Sequence, residues 1–238
     1  MPILARAALD NYTWMMWRKQ LRDWRNPRLA LARVIGATSL ENFATQGDGQ
    51  VAVLRHHGLR DGMAVYDLGC GCGRTAQALQ RAGWQGSYTG ADILAPLVRE
   101  LRRACPGYTA HVHRKLSIVA PDASLDMVFH WSVFTHLKPE ECMIYMQDTF
   151  RALKPGGRLV FSFLELEDPQ HAPIFARRAR RIAGGGKEGV LDSFLHRDWI
   201  RHFARECGFG EPTFTDGQDT THHPAFWQSL VTMDKAPL

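Results

Sequence analysis

Long apolar runs are missing from this chain, and none approaches the roughly 18 residues that a membrane-crossing helix needs. The apolar stretch Ile3 to Leu9 has no basic run ahead of it, so no secretory leader is expected there. Cysteine is scarce, five in 238 residues. A small odd number does not make a disulfide framework, and a reducing cytoplasm is the expected location. Cys70 and Cys72 form a lone Cys-Gly-Cys without the second pair that a zinc site needs, so no metal is expected. Nor does charge of one sign dominate: 29 basic against 24 acidic residues leave a net +5. That balance fits an anionic substrate, a membrane surface or nucleic acid, and selects none of them. What remains, 45% hydrophobic and 22% charged, is the make-up of a soluble globular chain long enough for one large α/β domain.

The stretch Ala64 to Leu79, AVYDLGCGCGRTAQAL, organises the rest. It reads as a short buried strand, Ala64 to Leu68, then a turn with Gly69, Gly71 and Gly73, then a helix from Arg74 to Ala82. Glycines at such a turn tolerate positive φ and let backbone approach a ligand closely. The helix start adds free N–H groups. A dinucleotide site wants G-x-G-x-x-G beneath a pyrophosphate. Here the third glycine position holds Arg74, and the strand ends in Asp67, a carboxylate that repels pyrophosphate and suits a cationic ligand group.

This acidic strand end with alternating glycines resembles motif I of the class I S-adenosylmethionine-dependent methyltransferases, in their small-molecule bacterial form. The resemblance implies an α/β, Rossmann-like, doubly wound sheet of seven mostly parallel strands with an antiparallel strand-six/strand-seven hairpin. It also implies S-adenosyl-L-methionine as cofactor, its methionine end held by Asp67, Gly69, Cys70, Gly71 and Gly73. Read without the family, Cys70 and Cys72 are small packing residues. A second strand, Ser87 to Ala91, ends at Asp92, nineteen residues after Gly73. A carboxylate at that distance is placed to accept hydrogen bonds from ribose hydroxyls; capping the helix that starts near Ala95 is its other reading. In the family the residue after this acid packs on adenine, which here is Ile93. The family often has a further acid after strand three, but this chain reads Arg114-Lys115-Leu116-Ser117. Ser117 or backbone groups are then left to contact adenine.

Strand three is expected from Tyr108 to His113, with His111 and His113 on one face as a surface or half-buried pair. Strand four, Asp126 to Phe129, delivers His130 and Trp131 to the carboxyl end of the sheet, where open α/β sheets place their ligands; both join the expected cofactor-binding set, and Trp131 also shapes the acceptor pocket. His136 is a candidate base for a substrate hydroxyl or amine, or a residue that packs the next helix. That helix spans Glu141 to Leu153, and LKPGGRLVFSF, Leu153 to Phe163, matches the family's turn into strand five. Beyond it a helix from His196 to Cys207 and strands at Pro212 to Thr215 and Phe226 to Met233 are expected. His222 and His223 in the last turn are candidate substrate contacts by topology.

Residues 1–62 read as a helical lead-in and substrate cover, and 63–238 as the cofactor-binding domain with a helical lid insertion at about 165–192. In the lead-in, Trp14, Trp17, Leu21 and Trp24 are spaced 3, 4 and 3 apart. The spacing predicts one helix face packed on the body; an aromatic cover over substrate and a membrane-surface helix are the other readings. Asn26-Pro27 ends this helix, and a further one runs from Gln50 to Leu59. In the lid, Ile174 to Ile182 carries Arg177, Arg178, Arg180 and Arg181 ahead of Gly184-Gly185-Gly186, a solvated face or a mobile anion-recognising lid. The expected function is methyl transfer to a small-molecule acceptor by in-line displacement, releasing S-adenosylhomocysteine. RNA or other nucleic-acid methylation, and a non-catalytic cofactor-binding module, are the alternatives.

Overall fold

The computed structural model describes residues 6–186 and 191–237, which form two compact units, Met1–Lys115 and Leu116–Leu238. Of the apolar run Ile3 to Leu9, residues 3–5 lie outside the described residues, as do 187–190 of the lid insertion.

In the first unit, helices α1 (Arg6–Arg22), α2 (Pro27–Val34) and α3 (Leu40–His56) precede β1 (Ala64–Leu68), α4 (Arg74–Arg81), β2 (Ser87–Asp92), α5 (Ala95–Ala104) and β3 (Thr109–Val112). The strands lie in the order β3-β2-β1 and all pair parallel, Ala64 opposite Ser87 and Thr89 opposite Thr109. Parallel pairing follows from the helical crossovers α4 and α5, which return the chain to the same sheet edge. Val65, Tyr66, Asp67 and Leu68 are buried in succession, the pattern of a strand covered on both faces. α5 turns Leu97, Val98 and Leu101 inward. Burying each such side chain contributes about 1.5–3 kcal/mol.

The second unit runs β4 (Leu125–His130), a 3₁₀ turn at Phe134–His136, α6 (Pro139–Ala152), β5 (Leu153–Phe163), α7 (Ala172–Ala183), α8 (Arg197–Cys207), β6 (Thr213–Thr215) and β7 (Ser229–Asp234). Its strand order is β4-β5-β7-β6; β4 and β5 are parallel, and β7 is antiparallel to both its neighbours. The Pro155-Gly156-Gly157 turn appears as a register break: Leu125 faces Leu153, but Met127 faces Arg158. Phe129, Phe134, Phe161 and Phe163 fill the core. Seven strands, with helices in the β1–β2, β2–β3, β4–β5 and β5–β6 connections and an antiparallel β6–β7 pair, make up the mixed α/β arrangement expected from the sequence.

Three expectations are corrected. Trp14, Trp17, Leu21 and Trp24 do not pack on the body: they are 63, 59, 70 and 68% exposed, and Met16 on the opposite side of α1 is buried instead. Side chains at 12, 15, 16 and 19 lie on one face at 100° per residue, and it is this face, through Tyr12, Met15 and Met16, that packs in the cluster with Leu31 and Val34 of α2. The helix read as Gln50 to Leu59 starts ten residues earlier, capped by Ser39, and α2, capped by the Asn26 side chain, follows the predicted break directly. The last strand starts at Ser229 rather than Phe226, because Trp227 has φ +72° and cannot continue an extended strand. Among the described residues no helix is long and apolar enough to cross a membrane.

Candidate active site

The glycine loop is bound to the end of β2. Gly69 and Cys70 N–H both donate to Ala91 O, at 2.8 and 3.0 Å, and Gly71 N–H donates to Asp92 Oδ2 at 3.0 Å. Leu94 N–H donates to Asp92 Oδ1 at 2.9 Å, so the carboxylate organises the turn after β2; the cap position of α5 itself is Leu94, without a side-chain bond. The Ile93 backbone also hydrogen-bonds the Asp92 carboxylate, and two oxygens with two acceptor directions each are not exhausted by these three donors.

Gly71 has φ +55°, and a Cβ there would sit 2.9 Å from Ile35 Cγ2. Gly73, at φ +87°, would place a Cβ 2.9 Å from Leu101 Cγ. Both positions exclude side chains twice over, by dihedral and by space. Cys70 and Cys72 are buried, and burial pushes both thiols up, Cys72 to about 12. They stay protonated and pack.

Asp67 is 1% exposed and accepts a hydrogen bond from the Tyr88 hydroxyl at 2.7 Å. Burial pushes its carboxyl up to about 8, against the pull of that hydroxyl, and the neighbouring Asp92 adds to the rise. Burial likewise raises Asp92 to about 6. Arg74 opposes the Asp67 shift only in part, because its guanidinium is committed to Ile35 O and lies 5.7 Å over the Phe43 ring. Two buried carboxyls short of positive charge suit a cationic ligand and disfavour a pyrophosphate. Ile93 packs with Tyr12, Met15 and Ile35 against the cluster that holds Met16, Leu31, Phe43, Cys72 and Leu97. Asp67, the glycines, Asp92 and Ile93 are therefore brought together.

The second unit holds the other expected residues. Ser117 is buried beside Ile118, whose N–H donates to Asp148 Oδ2 at 2.6 Å. His130 is 1% exposed, stacked on Phe161 at 4.9 Å and tilted on Phe134 at 4.1 Å. Neither of its ring nitrogens has a hydrogen-bond partner, and burial lowers it to about 3. It is a neutral ring. Trp131 leaves the end of β4 to tilt against Phe226 at 4.9 Å and Phe129 at 5.8 Å.

His136 Nδ1 donates to Leu191 O at 2.6 Å, which makes Nε2 the basic nitrogen, and burial lowers its pKa. In the β6–β7 turn His222 is exposed, while His223 is buried with Nδ1 3.0 Å from Pro224 O. His111 and His113 are both half-buried, and among the described residues no group of three His, Cys, Asp or Glu could hold a metal ion.

Sequence reasoning missed a polar cluster at the carboxyl ends of β4 and β5. Ser132, at φ +56°, takes Ser162 Oγ as acceptor for its N–H at 2.8 Å, and both serine hydroxyls donate to Gln228 Oε1, at 3.0 and 2.6 Å. Beside it, buried His171 accepts from Glu165 N–H at 3.2 Å and so donates from Nε2 to Trp227 O at 2.8 Å. Glu165 is clamped by Arg197 in two 2.7 Å bonds and by Ser229 Oγ at 2.5 Å. The partners are up to 96 positions apart, and no local pattern marks them.

Comparison with known proteins adds an independent finding. Residues 65–157 match the family model described as "Methyltransferase domain". The chain is 34% identical over 118 residues to a trans-aconitate 2-methyltransferase of Rhodopseudomonas palustris (strain BisB18), covering 48% of this chain and 43% of that protein. It is 31% identical over 166 residues to a trans-aconitate 2-methyltransferase of Azoarcus sp. (strain BH72), covering 68% and 64%. The chain thus spans less than two thirds of these curated relatives. Among solved structures, the magnesium protoporphyrin IX methyltransferase of Synechocystis PCC 6803 with bound SAH superposes with a TM-score of 0.58 at 18% identity, covering 83% of this chain and 87% of that one. That likeness shows a shared fold.

Proposed function

We propose that this chain is a class I S-adenosylmethionine-dependent methyltransferase that methylates a small anionic acceptor and releases S-adenosylhomocysteine, a reading supported by the methyltransferase-domain match over residues 65–157 and by the trans-aconitate methyltransferase relatives. The observation that carries the reading is the Gly71–Asp92 bond, which ties the glycine loop to the carboxylate expected to take the ribose.

Bound S-adenosylmethionine supplies a methyl carbon activated by a sulfonium leaving group. Asp67 and the Gly69–Gly73 loop would hold the cationic methionine end, and Asp92 the ribose diol. Ile93 would pack on adenine, with Ser117, His130 and Trp131 completing the cofactor contacts. α1 and α2 support the reading of residues 1–62 as a cover, since their Met16 and Leu31 pack in the same cluster as Cys72 of the loop. Residues 63–238 are the proposed catalytic domain, with the insertion at about 165–192, of which α7 is the described helix, as its proposed lid.

Because the leaving group is already activated, the chain's work is mostly positioning. Trp131 and Phe226 offer an aromatic wall, and Ser132 and Gln228 a polar end. His136, held neutral and with Nε2 as its basic nitrogen, is the proposed general base; His222 and His223 are the alternative substrate contacts. The anionic acceptor is supported by the arginines of α7, of which Arg177, Arg180 and Arg181 are exposed, and by the trans-aconitate named for two relatives. Five buried free thiols support a reducing cytoplasmic setting.

Calorimetric titration with S-adenosylmethionine, S-adenosylhomocysteine and NAD, followed by S-adenosylhomocysteine release over a panel of di- and tricarboxylates, phenols, amines and RNA, tests the proposal. Binding of the first two and turnover on carboxylates is expected. NAD binding without S-adenosylmethionine binding overturns the cofactor reading, and turnover confined to RNA overturns the acceptor reading. Tight cofactor binding with no turnover on any acceptor returns the non-catalytic reading.

A further inference from the structure

α1 has two working faces. Tyr12, Met15 and Met16 point toward the cluster over the glycine loop. About half a turn around the helix, Trp14, Trp17 and Leu21 point outward, and Trp24 continues the stripe just beyond the helix end. These four side chains are each more than half exposed. No other stretch of the described chain exposes three tryptophans together.

Cations flank the stripe. The Arg18 guanidinium lies 4.7 Å over the Trp14 ring, and that of Arg25 lies 5.0 Å over Trp24. Arg22 is 63% exposed along its side chain, with Nε 3.4 Å from Asp23, whereas Arg28 at the start of α2 is engaged by Gln77 and Glu100. Lys19 is spent inward on Arg33 O. From residue 12 to residue 28 the sequence contains one carboxylate, Asp23, and it is 12% exposed and paired to Arg33. The outer face is thus apolar in the middle, basic at its edges and without exposed acid.

We propose that this face of α1 docks the protein on an anionic lipid surface, with the tryptophans seated among the headgroups and Arg18, Arg22 and Arg25 on lipid phosphates. Indole rings suit the headgroup layer because they are apolar bodies with one polar N–H. Arginine pairs with phosphate through its planar fork. A second copy of the chain fits the face poorly, because a two-fold contact through it sets three arginines against three. The same helix then joins two surfaces, its inner face over the cofactor loop and its outer face on lipid. The inference does not depend on which acceptor is methylated.

The test is co-sedimentation of the full chain with vesicles of phosphatidylcholine alone and of equimolar phosphatidylcholine and phosphatidylglycerol. Tryptophan emission is followed in the same samples. Binding to the mixed vesicles with a blue shift is expected, much weaker on phosphatidylcholine and weakened by salt. The W14S/W17S/W24S variant and, separately, the R18Q/R22Q/R25Q variant should each lower the partition coefficient by about tenfold or more. Both should keep unchanged circular dichroism and S-adenosylhomocysteine affinity, since these side chains face away from the loop. Three outcomes overturn the proposal: no partition on the mixed vesicles, equal partition of the W14S/W17S/W24S variant, or a dimer in solution that this variant dissolves. Retention on RNA with no vesicle binding also overturns it.

Discussion

Gly71 and Asp92 are joined by a 3.0 Å hydrogen bond from backbone to carboxylate, so the loop that would receive one end of the cofactor is held by the residue that would receive its ribose. The two cannot be altered independently. Asp92→Ala removes the acceptor of Gly71 N–H and Leu94 N–H as well as the ribose contact. Hydrogen bonds to a charged group contribute about 1.5–3 kcal/mol each. A loss of S-adenosylhomocysteine affinity of about tenfold or more is expected together with a lower melting temperature. Calorimetry showing wild-type affinity would remove Asp92 from the site.

Gly71→Ala should fail for two separable reasons. The αL backbone costs a non-glycine residue about 1–2 kcal/mol, and the new Cβ meets Ile35 Cγ2 at 2.9 Å. The double variant Gly71→Ala/Ile35→Ala relieves the clash and leaves the dihedral cost. Partial recovery of cofactor affinity is expected, measured by titration. Full recovery would show that only space mattered, and no recovery that Ile35 is not the obstacle.

Asp67 gives a pH signature. Its folded pKa of about 8 lies above the ordinary carboxylate value, so the folded state binds the proton more tightly than the unfolded chain. Its contribution to stability is present below the unfolded value and is lost as pH rises toward about 8. Denaturant melts of the cofactor-free protein should show this decline, and Asp67→Asn should flatten it. Affinity for the cationic cofactor should run the other way, rising as Asp67 ionises. A parallel pH dependence in wild type and variant would exclude Asp67.

His130 carries the opposite sign. Its folded pKa, about 3, is depressed, so its contribution is present above the unfolded imidazole value and lost as pH falls toward the folded one. Replacement by Phe removes two buried nitrogens without partners and should raise stability, chiefly in acid. S-adenosylhomocysteine affinity of His130→Phe then separates the roles: a loss places the ring on the cofactor, and wild-type affinity leaves it as a core residue.

His136→Ala should lower kcat by about 10²–10⁴-fold if the residue is the general base, with S-adenosylhomocysteine affinity unchanged. The acid limb of the wild-type pH–rate profile should lie below the ordinary imidazole value, because burial lowers this histidine. Wild-type turnover in the variant would pass the role to His222 or His223.

Much of this protein was written locally. Asp67, the three glycines and Asp92 are close in sequence, and backbone dihedrals with strand–turn–helix spacing are enough to place them on one turn. The parallel β1–β2 pair and the Pro-Gly turn before β5 follow from equally short stretches. Other features needed the folded chain. The Ser132–Ser162–Gln228 cluster joins the loop after β4, strand β5 and the residue before β7, and only sheet order brings them within hydrogen-bond distance. The faces of α1 were also undecided, because the periodicity of Trp14, Trp17, Leu21 and Trp24 gives a stripe but not its direction. Packing turned Met16 inward, into the cluster with Leu31 and Cys72, and left the tryptophans outside. The sequence by itself determined the loop and its carboxylates; the tertiary structure decided which face of the covering helix meets that loop and which meets the surroundings.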